Sequence, residues 1–381
     1  MKVLYVLSGT TVFGGATKAF LNLLRGAIKE GVEPFVFCPD KNGIYQDLID
    51  MGISVEVSDL RFACWPPSSS INDFLLFVPR LVFYCILNLK AYYKLLNFAN
   101  DIKPDIIHSN VSVVDVGYRV AKKINTPHVW HIREYGDFDF NFAPSYKAFI
   151  SHLNDDINHC LAITKGVKEH HHLSDNKCRV IYDGVLSLKE SRSLKEKSDY
   201  FLFAGRLEEA KGIELCIKGY VRFWKKTKSK ISLKIAGDSI DPSYSSYLKT
   251  LANGAPIEFL GMKKDIYNIM LNAKALIVSS RHEGFGFITA EAMFNDCLVI
   301  GRNTNGTKEQ MDNGISCTGK EIALRFITEE ELSERLFDVY TKGDNYYMDM
   351  RKRAQYTVEK LYTAETHTAR VLDYYETILK S

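Results

Sequence analysis

The chain has 381 residues, 46% of them hydrophobic and 25% charged, the composition of an ordinary globular protein long enough for two or three domains. A formal charge of +3 is too small to point to nucleic acid. Eight scattered cysteines with no Cys-x-x-Cys pair fit a reduced, cytoplasmic protein rather than a disulfide scaffold.

Lys2–Leu7 is apolar but too short for a signal segment, and it reads as the first strand. It runs into Gly14-Gly15 and then a helical pattern with Phe20, Leu23, Leu24, Ala27 and Ile28 on one face. Pro34–Cys38 is the next strand, which completes a βαβ unit. Gly14 and Gly15 let backbone approach a ligand closely. The full Gly-x-Gly-x-x-Gly fingerprint is missing, so a plain turn explains the pair as well.

A short helix at Tyr45–Met51 and a strand at Ser54–Val57 follow. Asp73–Phe98 is nearly all apolar at helical spacing, broken by Arg80, Lys90 and Lys94, with Pro79 expected to kink it. It lacks the ~20 uninterrupted apolar residues of a spanning helix. A helix buried in the N-terminal domain is one reading; a helix lying on a membrane surface is the other. Pro104–His108 and Pro127–His131 are strands, with a helix over Asp115–Ile124 between them. Ligands of parallel sheets bind at the carboxyl ends of strands, so His131 and its neighbours are expected to face a ligand; a histidine hydrogen-bonded under the loop is the plain alternative. Asp137-Phe-Asp139 is read as loop polarity and His170-His-His172 as a solvated helix end. Adjacent helical residues point too far apart to chelate one ion. Cys160–Thr164 and Arg179–Tyr182 are further strands, and Leu188–Asp199 reads as a polar linker.

The second half repeats the strand–helix alternation. Tyr200–Ala204 leads into Gly205-Arg206 and then Lys211-Gly212 at a helix start. A guanidinium and an ammonium so placed suit one anion, although two unrelated surface cations fit too. Ser232–Ala236 and Ile257–Gly261 are strands. Ala275–Val278 is an apolar strand, followed by Glu283-Gly-Phe-Gly286 and a helical run from Phe287 through Glu291. A glycine loop opening a helix attracts phosphate. Glu283 before that terminus and Glu291 about 7 Å along the helix could accept hydroxyl hydrogen bonds, which suits a nucleotide sugar. The plain alternative is one loop glutamate and one solvated helix glutamate. Leu298–Ile300 is a strand, Asn305 opens a short helix, and Asp312-Asn-Gly314 reads as a turn. The last helix, Thr363–Leu379, carries Val371, Tyr374, Tyr375 and Ile378 on one stripe, which core packing within the C-terminal domain would explain.

Glu283-Gly-Phe-Gly-Phe-Ile-Thr-Ala-Glu291 resembles the E-x7-E signature of the retaining glycosyltransferases of family 4. Gly205-Arg206-Leu-Glu-Glu-Ala-Lys211-Gly212 resembles the same family's diphosphate-binding element. The resemblance implies an α/β, GT-B fold: two Rossmann-like doubly wound domains facing across a cleft, with the C-terminal helix crossing back to the N-domain. The expected boundaries are 1–187, a linker at 188–199, 200–362 and the helix 363–381. It implies Arg206, Lys211, Glu283 and His131 as catalytic residues. Gly14, Gly15, Met262, Gly284, Phe285, Gly286, Phe287 and Glu291 would bind the donor, and Arg133 or Glu134 the acceptor. Asp183-Gly-Val departs from the family's usual Asn-Gly-Val, and Thr307 replaces the second glycine of its Gly-Gly-x-x-Glu turn.

The implied activity is retaining transfer from a nucleotide sugar, a UDP-sugar by family frequency, to a glycan or lipid-linked oligosaccharide in cell-surface polysaccharide synthesis. It needs no metal or other cofactor, and the implied location is the cytoplasm, at the inner face of the plasma membrane if 73–98 meets lipid. A nucleotide-sugar epimerase of the same fold and a non-catalytic, membrane-bound nucleotide-sugar sensor are the alternatives.

Overall fold

The computed structural model describes all residues except 13, 67, 69, 138–145, 194, 195, 253 and 381. The chain divides into two compact units, Met1–Gly184 with Ala364–Ser381, and Val185–Thr363. The boundary falls between Gly184 and Val185, ahead of the stretch read as a linker, whose last residues already belong to the strand Ser198–Ala204.

The first unit holds seven strands: β1 (Lys2–Val6), β2 (Glu33–Cys38), β3 (Ser54–Val57), β4 (Ile106–Ser109), β5 (His128–Ile132), β6 (Asn158–Ala162) and β7 (Cys178–Val180). All pair in parallel, in the order β3-β2-β1-β4-β5-β6-β7. Side chains of a strand alternate between faces. Tyr5 and Leu7 therefore pack with Phe20 and Leu23 of the helix Gly15–Lys29 and with Val371 and Tyr375 of the last helix, Ala364–Lys380. Leu4 and Val6 face the other way, on to Ala91, Leu95 and Val120. Burial on both faces explains why β1 reads as an unbroken apolar run from Val3 to Val6.

The second unit has six parallel strands: β8 (Ser198–Ala204), β9 (Ser232–Ala236), β10 (Ile257–Gly261), β11 (Ala273–Val278), β12 (Leu298–Arg302) and β13 (Leu324–Phe326). Their order is β10-β9-β8-β11-β12-β13. In each sheet the winding reverses beside the first strand, between β1 and β4 and between β8 and β11. In such sheets ligands bind in the crevice at the carboxyl ends of the strands flanking that reversal. The loops after β8 and β11 are thereby marked in the second unit before any side chain is considered.

Three expectations are corrected. Pro79 sits in the first turn of Phe77–Ile102, where its missing N–H costs no intrahelical bond, and a separate short helix, Ile71–Leu75, precedes it. The helix is neither wholly buried nor wholly exposed: Ala91, Leu95 and Ala99 are buried, whereas Val78, Val82, Phe83 and Ile86 are exposed. Asp312–Gly314 is no turn but the middle of a 14-residue helix, Asn305–Thr318. Gly314 is there because a Cβ would stand 2.2 Å from Ile322 Cδ1.

Candidate functional site

In the second unit the loops after β8 and β11 meet. Lys211 Nζ lies 2.8 Å from Glu283 Oε1, and Ser280 Oγ donates to the same oxygen at 2.7 Å. The backbone holds this pairing in register. Arg281 N–H donates to Ala210 O at 2.9 Å, and Ser279 Oγ donates to Lys211 O at 3.2 Å. Gly212 has φ +66°, and a Cβ there would lie 2.0 Å from Ser279 O. Only glycine lets the two loops come this close.

The loop Glu283–Gly286 is fixed from behind by the helix Asn305–Thr318. Gly306 N–H donates to Glu283 O at 3.0 Å, and Gln310 Nε2 donates to Phe285 O at 2.6 Å and Gly286 O at 3.0 Å. A Cβ on Gly306 would stand 2.6 Å from Phe285 O. Gly286, at φ +87°, is the N-cap of the helix Phe287–Phe294, and no side chain caps that terminus. The helix therefore presents its positive end three residues after Glu283, the partner of Lys211. Gly284, Phe285, Gly286, Phe287, Glu283 and Lys211 form one assembly. Glu291 is on the same helix but is only 2% exposed, and it accepts from Tyr267 OH at 2.9 Å. A solvated helix glutamate is thereby excluded.

Arg206 leaves the same sheet edge but is turned outward. Its side chain is 69% exposed and pairs with Glu208 at 3.1 Å. Met262, also at this edge after β10, is 52% exposed, and its N–H donates to Asp238 Oδ2 at 3.1 Å.

The first unit brings together a different set. His131, in β5, is wholly buried. Its Nδ1 lies 3.2 Å from Arg133 Nη2. Arg133 is buried too: Nε donates to Asn110 O at 2.8 Å, and Nη1 is paired with Asp183. The guanidinium is committed to these groups, which removes it as a ligand displayed to an acceptor. Asp183 Oδ1 lies 3.9 Å from His131 Nε2 and 3.8 Å from Nε2 of His367, from the last helix. Among the described residues, these three atoms have no hydrogen-bond partner. Burial above all, then Arg133, holds His131 well below the ordinary histidine range, and burial lowers His367 to about 4.

The sequence expectation was of no metal. His131, Asp183 and His367 do bring one ligand atom each within 4.8 Å of one another. Arg133 already balances the single carboxylate, so a divalent cation would add uncompensated buried charge.

Glu134 Oε2 accepts from Ser112 N–H at 3.1 Å and Ser112 Oγ at 2.6 Å. Gly14 is the N-cap of Gly15–Lys29 at φ −80° and ψ 136°, a conformation open to any residue. The Gly14-Gly15 pair is therefore not required by backbone strain. His171 is buried, with Nε2 2.9 Å from Glu134 O, which corrects the solvated reading for that residue alone; His170 is half-buried beside Asp137 and His172 is exposed. Phe138 and Asp139 of the Asp-x-Asp run lie outside the described residues.

Sequence reasoning missed Ser280, Tyr267, Gln310 and His367. Ser280 adjoins the motif and was within reach of inspection. The other three come from distant helices, and nothing local marks them.

Residues 13–185 match the sequence model described as Glycosyltransferase Family 4, and residues 187–357 match that of Glycosyl transferases group 1. The chain is 24% identical over 250 residues to an uncharacterized glycosyltransferase of Methanocaldococcus jannaschii, MJ1178, a match spanning 61% of this chain and 68% of that protein. Anabaena HepE, solved in complex with UDP-glucose, superposes with a TM-score of 0.76 at 16% identity, over 99% of this chain and 100% of that one. Sucrose-phosphate synthase from Thermosynechococcus elongatus superposes with a TM-score of 0.71 at 13% identity, over 100% of both chains. Two parallel-sheet units, each answering to a glycosyltransferase sequence model, place the chain among the glycosyltransferases of the GT-B type.

Proposed function

We propose that the chain is a retaining, family 4-type glycosyltransferase that takes a sugar from a UDP-sugar and passes it to a glycan or lipid-linked acceptor. One observation carries the reading: Lys211 and Glu283, 72 residues apart in sequence, pair at 2.8 Å beside a glycine-capped helix terminus. That is the chemistry a departing diphosphate asks for. The anomeric carbon–oxygen bond breaks and negative charge gathers on the leaving phosphate oxygen. The Lys211 ammonium and the N–H groups at Phe287 stabilise that charge, with Arg206 swinging in from the loop edge. The acceptor hydroxyl then bonds to the anomeric carbon on the face the phosphate leaves. Its proton goes to the departing phosphate oxygen, so no protein nucleophile and no metal enters the scheme.

Glu283 is assigned to the donor sugar, Glu291 to the ribose and Met262 to the base. In the first unit, Gly14 and Gly15 remain the backbone facing the donor phosphate and acceptor, and Glu134 the acceptor candidate. His131 is assigned to a sugar hydroxyl, with Arg133 and Asp183 holding its ring. The UDP assignment draws support from the HepE complex. The apolar character of 73–98 supports a place in polysaccharide assembly at the inner membrane face.

Removing one preorganised charge-stabilising group typically costs about 10²–10³ in rate. Lys211→Ala and Glu283→Ala are each expected to lose that much transfer while circular dichroism stays unchanged. Proton NMR of the product should show the anomeric configuration of the donor. Near wild-type turnover in both variants overturns the assignment of roles. Interconversion of sugar nucleotides without any acceptor product replaces the transferase with an epimerase.

A further inference from the structure

The stretch Arg222–Lys234 joins the helix Ile213–Thr227 to β9 and carries six basic residues and no acid. The whole chain has a formal charge of only +3, so this concentration is local. Two of the six have acidic neighbours: Arg222 pairs with Glu330 at 2.8 Å, and Lys234 lies 4.0 Å from Glu258. Lys225, Lys226, Lys228 and Lys230 are exposed and form no ion pair among the described residues. Rings hold two of these ammonium groups in place. Lys226 Nζ stands 4.4 Å from the centre of the Phe337 ring, and Lys228 Nζ 4.3 Å from that of Trp224. Like charges crowded on one stretch repel, and an anion relieves them.

Lys228 and Lys230 line a cavity of about 470 Å³, together with Lys274, Asp199 and Tyr340. Ile231 and Val339, both buried, supply apolar wall. That size and mixture fall in the range of small-molecule sites. Lys274 brings no spare charge, because its Nζ lies 3.2 Å from Asp199 Oδ1 and 3.2 Å from Asp344 Oδ2. This trio leaves one acid in excess, against the four unmatched lysines beside it. Charge and shape then select the occupant. A carboxylate brings a single negative charge. A phosphate monoester brings about −1.5 to −2 at pH 7, with three acceptor oxygens, enough for Lys228 and Lys230 together. The ring of Tyr340, 44% exposed, and the apolar wall suit the organic part of such a molecule.

The cavity is distant from the donor loops. Asp199 and Lys274 are the second residues of β8 and β11, at their amino ends. The loops with Arg206, Lys211 and Glu283 leave the carboxyl ends of the same two strands. Asp199 to Ala204 is five residue steps, about 17 Å along the strand. A phosphate held here is not the donor diphosphate.

We propose that the cavity between Lys228, Lys230 and Tyr340 is a second ligand site, which binds the phosphate monoester of a small organic molecule. The site stands on these observations alone and does not depend on the transferase reading above.

Calorimetry on the full chain with ribose 5-phosphate, with UMP and with ribose tests this. Saturable binding is expected for the phosphate esters and none for ribose. Equal affinity for the two esters identifies a sugar phosphate as the ligand class, and tighter binding of UMP at this site identifies a nucleotide. Lys228→Gly with Lys230→Gln removes both charges, and glycine suits the φ of +51° at residue 228. This pair should weaken ester binding by at least about tenfold, because two charge-assisted hydrogen bonds are lost, while circular dichroism stays unchanged. Lys230→Gln alone, at an exposed position, should act in the same direction and serves if the pair fails to fold. Lys225→Gln with Lys226→Gln removes as much charge outside the cavity lining and should change affinity less than about twofold. Lys211→Ala, in the donor loop, should leave ribose 5-phosphate binding intact. The proposal is overturned if neither ester binds, if the Lys228 and Lys230 variants bind as wild type does, or if Lys211→Ala abolishes ribose 5-phosphate binding. An equal loss in the Lys225 and Lys226 pair, or capture of heparin without either ester, would also overturn it, by showing a diffuse polyanion surface in place of a site.

Discussion

Gly306 shows how much of the donor loop is decided by one absent methyl group. It is the second residue of its helix, and its N–H donates to Glu283 O. A Cβ would press on Gly284 O at 2.7 Å and Phe285 O at 2.6 Å, both backbone atoms that cannot rotate away. Gly306→Ala must therefore displace the loop that holds Glu283. Overpacking of this kind costs about 1–3 kcal/mol, and here the strain falls on the ligand side. Donor affinity measured by calorimetry is expected to fall about tenfold, the equivalent of ~1.4 kcal/mol. Gly314→Ala, farther along the same helix, clashes with the Ile322 side chain instead. It should lower thermal stability and leave donor affinity unchanged. Equal donor affinity in Gly306→Ala and wild type would remove the helix as the support of the loop. The sequence marked Asn305-Gly306 as part of a family-like turn. It could not show that Gln310, one helical turn on, ties the same loop through two carbonyl oxygens, because that depends on which face of the helix meets the loop.

At the scale of elements, periodic patterns were legible and their partners were not. The stripe Val371, Tyr374, Tyr375 and Ile378 was visible in the last helix, yet packing inside the second domain explained it equally well. The structure assigns it to the first unit, where it lies against the helix Gly15–Lys29. The contact is close because Gly26 has no side chain: a Cβ would be 2.3 Å from Thr368 Oγ1 and 2.7 Å from Thr368 Cγ2. Gly26→Ala is expected to destabilise the first unit by about 1–3 kcal/mol, read as a lowered denaturation midpoint of Trp130 fluorescence. Thr368→Ala removes the two nearest atoms and should recover part of the loss in the double variant. Additive losses would mean that the two helices do not meet at this point. The same distinction explains the helix Asn305–Thr318. Asp312-Asn-Gly314 has turn chemistry, and tertiary packing of Gly314 on Ile322 overrides it.

For the whole molecule, strand and helix alternation made a pair of doubly wound units legible, because parallel strands buried on both faces leave unmistakable apolar runs. What stayed hidden was the buried polar interior of the first unit, built from residues as distant as His131, Asp183 and His367. Single histidines carry no signal of what lies beside them after folding. Their burial sets the acid limit of the protein. His128 is lowered to about 3 by burial, and His171 and His367 to about 4, also chiefly by burial. In the unfolded chain each titrates near 6.5. Between pH 6.5 and 4 the unfolded state therefore binds protons that the folded state refuses. Stability is full above pH 6.5 and falls as pH drops through that window. A histidine held at about 4 loses on the order of 2 kcal/mol at pH 5. Melting followed by Trp130 fluorescence should drop steadily from pH 7 to pH 5. His367→Asn removes the titrating ring, so its melting temperature should fall less steeply over the same interval, even if it starts lower. A variant slope equal to that of the wild type would show that His367 takes up its proton without unfolding, and that the cluster with Asp183 is open to water.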